Sequence, residues 1–390
     1  MGLAKNDLFN CEERGFGHCE KVVCRDCVGN KSLQKHIATH GYMSTCDYCG
    51  KRRKVVTVEE LLNPIMSGIR FEYEDADNYY FDGSLPDCVS TYELIHYEIA
   101  DELQIENENL LDDISNTIAD INWCTVNPYS DKEYEVELYS WHSFCKLVKE
   151  QVRYVFYKSK NVYSDNDLSN PVNILDTVAE YVQEFGLVKR IPVNTKIYRG
   201  RTHNRENEIV DISEFGPPPT QFAKSNRMSA EGISLFYAAY NEETVLSEIA
   251  CKDEYATVAS FKTIRPLTII DFSKLRKQKM PSIFDEDNRA KRAPLIFLKS
   301  FAEDVCKKID NIPSIEYVPT QIVTEYFRYV FSSDVYGDVD GIVYNSAQST
   351  NGYCIVLFMN ETAFKDNKQC MIDKSSFKLS QYQKKYVVDK

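Results

Sequence analysis

Two cysteine pairs govern the first fifty residues. Cys24 and Cys27 form one C-x2-C turn and Cys46 and Cys49 form another, with 18 residues between the pairs. A segment this short cannot assemble a hydrophobic core large enough to hold itself together. Each turn sets two sulfurs about one ion apart, and two turns complete a tetrahedron, so the spacing predicts a structural zinc ion in place of the core. Four thiolates leave the ion no open position, which points to structure rather than catalysis. His36 and His40, four residues apart between the pairs, leave a mixed Cys/His set open as an alternative. Cys11, His18 and Cys19 upstream fit no standard spacing for a second ion. The run Lys51-Arg52-Arg53-Lys54 is the one place where a phosphate backbone could be gripped, although four charges on a turn are more often simply solvated.

The charge balance narrows the partners. The 390-residue chain carries 46 Lys+Arg against 59 Asp+Glu, a net charge of −13, which argues against a nucleic-acid binder as a whole. That charge is local. Residues 71–131 hold 16 acidic residues and no Lys or Arg, residues 1–70 carry +3, and residues 132–390 hold 35 of each sign. The longest unbroken apolar stretch runs only from Tyr353 to Met359, far short of the roughly 20 residues a membrane-spanning helix requires. Met1–Gly15 shows no apolar run of the kind found in secretory leaders, so the expectation is a cytoplasmic protein whose thirteen cysteines are thiols or metal ligands.

Patterning divides the remainder. Ser90-Thr91-Tyr92-Glu93 has capping-box spacing, and Leu94, Tyr97 and Leu103 come after it at helical intervals. Trp141, Phe144, Cys145, Val148, Val152, Val155 and Phe156 predict an amphipathic helix of about four turns, and Ile174 to Phe185 predict another, with Pro171 near its start and Gly186 at its stop. From Val188 the texture changes to short β-branched and aromatic runs, Thr195–Tyr198, Leu267–Asp271 and Ile342–Tyr344, with helical patterns at Glu242–Ala250 and Thr320–Phe331. The expected organisation is multi-domain: a four-cysteine zinc knuckle over 1–56, an acidic and mainly helical module over 57–187, and an α+β domain over 188–390.

The chemistry-bearing residues cluster in the last of these. They lie in Ile197-Tyr198-Arg199-Gly200-Arg201, in Asn226 to Ala238, and in Glu243-Thr244-Val245-Leu246-Ser247-Glu248. A strand-end arginine offers a planar fork of donors suited to a pyrophosphate, so Arg199 and Arg227 are candidates to hold a dinucleotide. Here the sequence resembles the RES-domain family, named for its Arg, Glu and Ser, whose members look like NAD-degrading toxins with a core shared with ADP-ribosyltransferases. The Tyr-Arg pair of that family's first strand matches Tyr198-Arg199, its loop and subsequent strand match Asn226 to Ala238, its Glu-Thr-Ala-Leu-x-Glu helix matches Glu243 to Glu248, and its Asp-Gly-Ile-x-Tyr-x-Ser matches Asp340 to Ser346. The glycine usual before the second arginine is Asn226 here, and Ala230 and Glu231 replace the prolines after it. The front half resembles the HEPN/RES N-terminal region, but the Arg-x4–6-His nuclease signature of HEPN enzymes does not occur in residues 57–186.

The resemblance implies cleavage of the nicotinamide–ribose bond of NAD through an oxocarbenium-like state. Arg199 and Arg227, with Tyr198, would anchor the pyrophosphate. Tyr237 would face the nicotinamide, Glu248 would bind the ribose hydroxyls and meet the developing cation, and Ser346 would fix the ribose or an arginine. His203 reads as a loop residue. The acceptor is water or phosphate in a toxin or anti-phage effector. The alternatives are ADP-ribosyl transfer to a protein or nucleotide, and a nucleotide-binding module without turnover. An antitoxin or sensor partner and a second copy of the chain are the expected protein partners; a membrane is not expected.

Overall fold

The thiolate segment folds as strand β1 (Val22–Cys24), helix α1 (Lys31–His40) and strands β2 (Tyr42–Thr45) and β3 (Arg52–Thr57), in a three-stranded antiparallel sheet of order β1-β3-β2. Asn30 starts α1 because its side-chain oxygen accepts the backbone N–H groups of Ser32 and Leu33. Thr57 does the same for Glu60 at the head of helix α2 (Val58–Glu72). The computed structural model describes residues 11, 13–79, 85–158, 173–205, 211–249, 255–307, 314–366 and 368–383. Two units result: Met1–Lys132 with Lys279–Ala293, and Glu133–Gln278 with Pro294–Lys390.

Within the first unit the cysteine segment shares its core with the helices beyond it. Val23, Leu33, Ile37 and Val56 belong to one buried cluster with Leu61, Ile65, Leu94 and Leu110. Asp113 of helix α3 (Glu108–Thr117) accepts from Tyr48 Oη and Lys21 Nζ at 2.7 Å each. A second three-stranded sheet that the periodicity did not predict joins strands β4 (Tyr73–Asp75), β5 (Val89–Ser90) and β6 (Asn122–Thr125) in the order β4-β6-β5.

The capping box at Ser90 and Glu93 forms as expected. The helix after it does not keep its phase: Leu94–Glu98 is a π turn closed by Ile99 N–H on Leu94 O at 3.0 Å. The extra residue rotates the register, so Leu94 and Leu103 are buried while Tyr97 is 68% exposed.

The helical stretch expected over 57–187 is shared between the units, because helix α4 (Glu133–Glu150) and helix α5 (Ile174–Glu184) belong to the second. Helix α4 begins and ends earlier than the apolar spacing suggested. Gln151 and Val152 both donate to Leu147 O, which closes it, and Phe156 then turns back edge-on to Phe144 at 5.5 Å while Val155 stays exposed. Gly186, with φ of 59°, ends α5 as expected, whereas Pro171 lies outside the described residues.

The second unit is built on an eight-stranded mixed sheet. Its strands are β7 (Val188–Ile191), β8 (Lys196–His203), β9 (Phe236–Ala239), β10 (Tyr255–Thr263), β11 (Leu267–Asp271), β12 (Gly341–Asn345), β13 (Tyr353–Leu357) and β14 (Ile372–Gln383). Their order across the sheet is β14-β10-β8-β9-β13-β12-β11-β7, with only β11 and β12 parallel. Asp340 fixes that pair: it accepts both terminal nitrogens of Arg265, at 2.6 and 2.9 Å, and the backbone N–H of Thr268. Helices α6 (Glu242–Ile249), α7 (Arg292–Cys306) and α8 (Val318–Tyr329) are the longer ones that accompany the sheet. Aromatic contacts join its helices, Trp141 on Phe301 at 4.8 Å and Tyr181 on Phe297 at 6.1 Å.

Candidate active site and thiolate cluster

The middle of the large sheet is where it nearly parts. Strand β8 pairs with β10 along its whole length and β9 pairs with β13, but β8 and β9 share only the Tyr198–Ala239 bridge. Beyond that bridge the strands leave a cavity of about 670 Å³, lined by Tyr198, Arg199, Arg201, Tyr237, Glu248 and Cys354 among others. This volume is in the range of small-molecule sites.

Arg199 fills the gap between the strands. Its Nη1 donates to Tyr237 O at 2.5 Å, the hydrogen bond a neighbouring strand would otherwise supply, and its guanidinium lies 4.9 Å from the Phe236 ring centre. The residue is 6% exposed and its Nε has no partner. Burial, and then the charge of Arg201, push the Arg199 guanidinium well below its ordinary pKa. A buried cation without a carboxylate is costly unless a ligand compensates it, so the cavity is poised for an anion.

The second guanidinium in the lining is Arg201's. It comes two positions after Arg199 on β8 and so shares its face. Arg201 Nε and Nη2 donate to Glu214 O and Gly216 O at 2.9 and 3.0 Å. Arg227, expected beside Arg199, is placed differently. Its Nη1 donates to Val305 O at 3.0 Å, at the C-terminal end of α7, and it is not among the residues lining the cavity.

The turn that carries Arg227 is closed by reciprocal backbone bonds between Asn226 and Ser229. Gln321 of α8 fastens it, its amide lying 2.9, 2.8 and 3.1 Å from Ser225 Oγ, Asn226 O and Ser229 O. The turn in turn anchors Tyr237: the phenol accepts Met228 N–H at 3.3 Å and bonds the Ser229 hydroxyl at 3.0 Å. Burial pushes the Tyr237 phenol up to about 12, so it stays protonated at neutral pH.

Glu248 stands exposed at the cavity's edge, carried by α6. That helix seats against β8 because residue 200 is glycine: a Cβ there would stand 2.6 Å from Val245 Cγ1 and 2.8 Å from Ile249 Cδ1. Ser346 donates its hydroxyl to Glu248 Oε1 at 2.5 Å, while its own oxygen accepts Gln348 N–H and Ser349 N–H. The serine thus orients the carboxylate. Cys354 lies beside it, and burial together with the Glu248 charge pushes that thiol up. His203 is a strand residue, not a loop one. It is buried, with Nδ1 on Arg205 O at 2.6 Å and Nε2 on Thr257 Oγ1 at 2.8 Å, and it takes no part in the cavity.

The structure therefore brings Tyr198, Arg199, Tyr237 and Glu248 into one lining and attaches Ser346 to Glu248; the Arg227 guanidinium is not part of the lining, but its charge still acts on Tyr237 and Cys354. Arg201, Gly200, Gln321 and Cys354 are residues that the sequence reasoning did not single out. For Arg201 the signal was present in its two-residue offset from Arg199.

In the first unit, Sγ atoms of Cys24, Cys27, Cys46 and Cys49 form a group whose adjacent members are 3.7 Å apart. Four sulfurs about 2.3 Å from a tetrahedral ion would be about 3.8 Å apart, so the residues fit such an ion. His36 and His40 form a separate group with Glu60, with ring centres 4.3 Å apart and His36 Nε2 3.0 Å from Glu60 Oε1. Among the described residues Cys11, His18 and Cys19 form no such group, and His18 pairs with Glu59 and Glu20.

A mixed sheet parted at its centre over a buried guanidinium that no carboxylate offsets, with an exposed carboxylate at the rim, is the candidate site of the second unit. Family models match the chain over residues 39–162, as HEPN/RES N-terminal domain 1, and over residues 197–380, as the RES domain. The chain thus carries a HEPN/RES N-terminal domain and a RES domain, and the RES-domain family is associated with NAD-acting enzymes. Neither the curated proteins nor the solved structures offer a match. No helix among the described residues is long and apolar enough to cross a membrane.

Proposed function

We propose that the second unit consumes NAD by cleaving its nicotinamide–ribose bond, in the manner of an ADP-ribosyltransferase-like toxin or defence effector. The observation that carries this reading is Arg199: a buried guanidinium with no carboxylate partner, lining the same cavity as Glu248. The pyrophosphate of NAD supplies the missing negative charge, and Arg201 adds a second fork of positive potential. Tyr237, fixed by Ser229 and Met228, presents its ring to the nicotinamide.

In the reaction the C1′–N bond breaks with its electron pair leaving on nicotinamide, which departs neutral, so no strong general acid is required. Glu248, held by Ser346, binds the ribose hydroxyls and stabilises the positive charge at C1′, a role worth several kcal/mol once the bound dinucleotide excludes water from the rim. An oxygen of water or inorganic phosphate then bonds to C1′. Water gives ADP-ribose and releases a proton; phosphate gives ADP-ribose 1″-phosphate. Transfer to a protein or nucleotide acceptor would use the same groups, and retention of the dinucleotide without turnover is the competing reading.

The thiolate group holds structural zinc in the same proposal, and the front half restrains or senses for the enzymatic unit, in the cytoplasm, alongside an antitoxin or sensor partner. The test is product identification. The full chain is incubated with NAD, with and without phosphate, and the products are weighed by mass spectrometry. Nicotinamide together with either ribosyl product supports the reading. Intact NAD under both conditions refutes it.

A further inference from the structure

A second cationic cavity lies in the first unit, where the net charge predicts none. By sequence this unit, residues 1–132 and 279–293, carries −11, the balance of +3 over residues 1–70, −16 over 71–131, +1 at Lys132 and +1 over 279–293. Yet three arginines from three separate stretches of chain, Arg14, Arg70 and Arg289, line one cavity of about 400 Å³ together with Asn63, Ser67 and two phenylalanines, Phe16 and Phe71. No carboxylate is among the described residues of that lining.

The three guanidiniums are held in place and only partly neutralised. Arg14 Nη1 bonds Glu59 Oε1 at 2.6 Å, while its Nε is buried without a partner. Arg70 Nη2 donates to a neutral acceptor, Glu13 O, at 2.9 Å. Arg289 Nη1 donates to Ser67 O and Ser67 Oγ, at 2.8 and 2.9 Å, and the Ser67 hydroxyl in turn donates to the Glu286 carboxylate just outside the lining. Two lie over aromatic rings, Arg14 4.7 Å from the Phe16 ring centre and Arg289 4.9 Å from that of Phe71. Stacked guanidiniums keep their donor edges turned outward and lose little freedom when they bind. Three like charges facing one cavity repel one another, and a bound anion would relieve that repulsion.

We propose that this cavity binds a small polyphosphate anion, a pyrophosphate group either free or carried on a nucleotide. Planar forks on several sides suit the multiple oxygens of a pyrophosphate better than a single carboxylate. One of the three donors, Arg289, stands on the stretch 279–293, which interrupts the sequence of the RES domain, so an anion bound here ties that stretch to α2 through Ser67 and Arg70. The proposal stands on the first unit alone and does not depend on the NAD reading.

The test is calorimetric titration of the full chain with inorganic pyrophosphate, with ADP and with adenosine, at low ionic strength. Wild type is expected to take up pyrophosphate and ADP, and the tighter of the two names the source; uptake of adenosine as strong as that of ADP overturns the proposal. Arg70→Gln, Arg289→Gln and Ser67→Glu, which sets a carboxylate in the lining, should each lose one equivalent of pyrophosphate binding or weaken it at least tenfold. Arg70→Lys should stay within tenfold of wild type. Circular dichroism verifies that each variant is folded, and any equivalent bound at Arg199 remains in all of them, so the two sites are counted separately. Pyrophosphate bound by all variants with wild-type stoichiometry and affinity, or not bound by wild type at millimolar concentration, refutes the site.

Discussion

Replacing Gly200 by alanine tests how the candidate site is positioned while leaving every charged group of its lining in place. The added Cβ would lie 2.6 Å from Val245 Cγ1 and 2.8 Å from Ile249 Cδ1. Carbon atoms prefer a separation of about 3.5–4.0 Å, so roughly 1 Å of room is missing. Either α6 backs away from β8 or its side chains leave their rotamers, and overpacking of this kind costs about 1–3 kcal/mol. Glu248 lies on the same turn as Val245 and Ile249 and moves with them, and a displacement of about 1 Å at a reacting group can cost on the order of 100-fold in rate. The assay pairs a thermal melt with NAD consumption for wild type, Gly200→Ala, Val245→Ala and the double variant. Gly200→Ala should lose both stability and kcat, and Val245→Ala should restore part of each by vacating the space, a coupling visible in the double-mutant cycle. A Gly200→Ala chain with unchanged melting temperature and unchanged kcat refutes the close seating of the helix, as does a cycle with no coupling.

Other expectations concern the supports around the site. Glu137 of α4 has a buried Oε2 without a partner, and burial pushes its carboxyl up to about 7, so its contribution to stability is present below pH 4.5 and lost as pH rises through 7; because the group is only half buried and solvent screens part of the effect, denaturation at pH 5 and pH 8 should show wild type losing about 1 kcal/mol relative to Glu137→Gln. Gln321→Leu removes the amide that holds the Ser225–Ser229 turn, and should cost about 1–3 kcal/mol in denaturant and raise KM for NAD more than it lowers kcat. The purified chain should contain one zinc per molecule by elemental analysis; Cys24→Ser or Cys46→Ser, both at buried positions, should abolish it and lower the melting temperature of the first unit.

Legibility in the sequence tracks the range of the interactions involved. Cysteine spacing is a local statement and the four thiols meet. Motif order along the chain likewise carried Tyr198, Arg199, Tyr237 and Glu248 into one cavity, and Ser346 onto Glu248, because each motif rides on its own strand or helix. Arg227 could not be placed by its motif, since its guanidinium is claimed by Val305 O, a carbonyl 78 positions away in the chain. Tyr97 was misjudged because a π turn shifts the helical phase without any marker residue. The strands of the second small sheet are only two to four residues long, too short for alternation to show, and their pairing comes from contacts that span up to about fifty residues. Nothing local marks 279–293 as part of the first unit; Ile283 and Phe284 join that unit's core by packing, with Phe284 lying where a Cβ on Gly68 would be.

The sharpest test of the enzymatic account is the rate at which free nicotinamide accumulates when the full chain, with and without the substitution Glu248→Gln, is held in excess NAD. The substitution keeps a group that can accept the Ser346 hydroxyl but removes the charge that faces C1′, so release should fall by a factor of about 100 or more while the affinity for NAD stays close to that of wild type. Equal rates from the two proteins would contradict the role assigned to Glu248, and with it the proposed chemistry of the cavity.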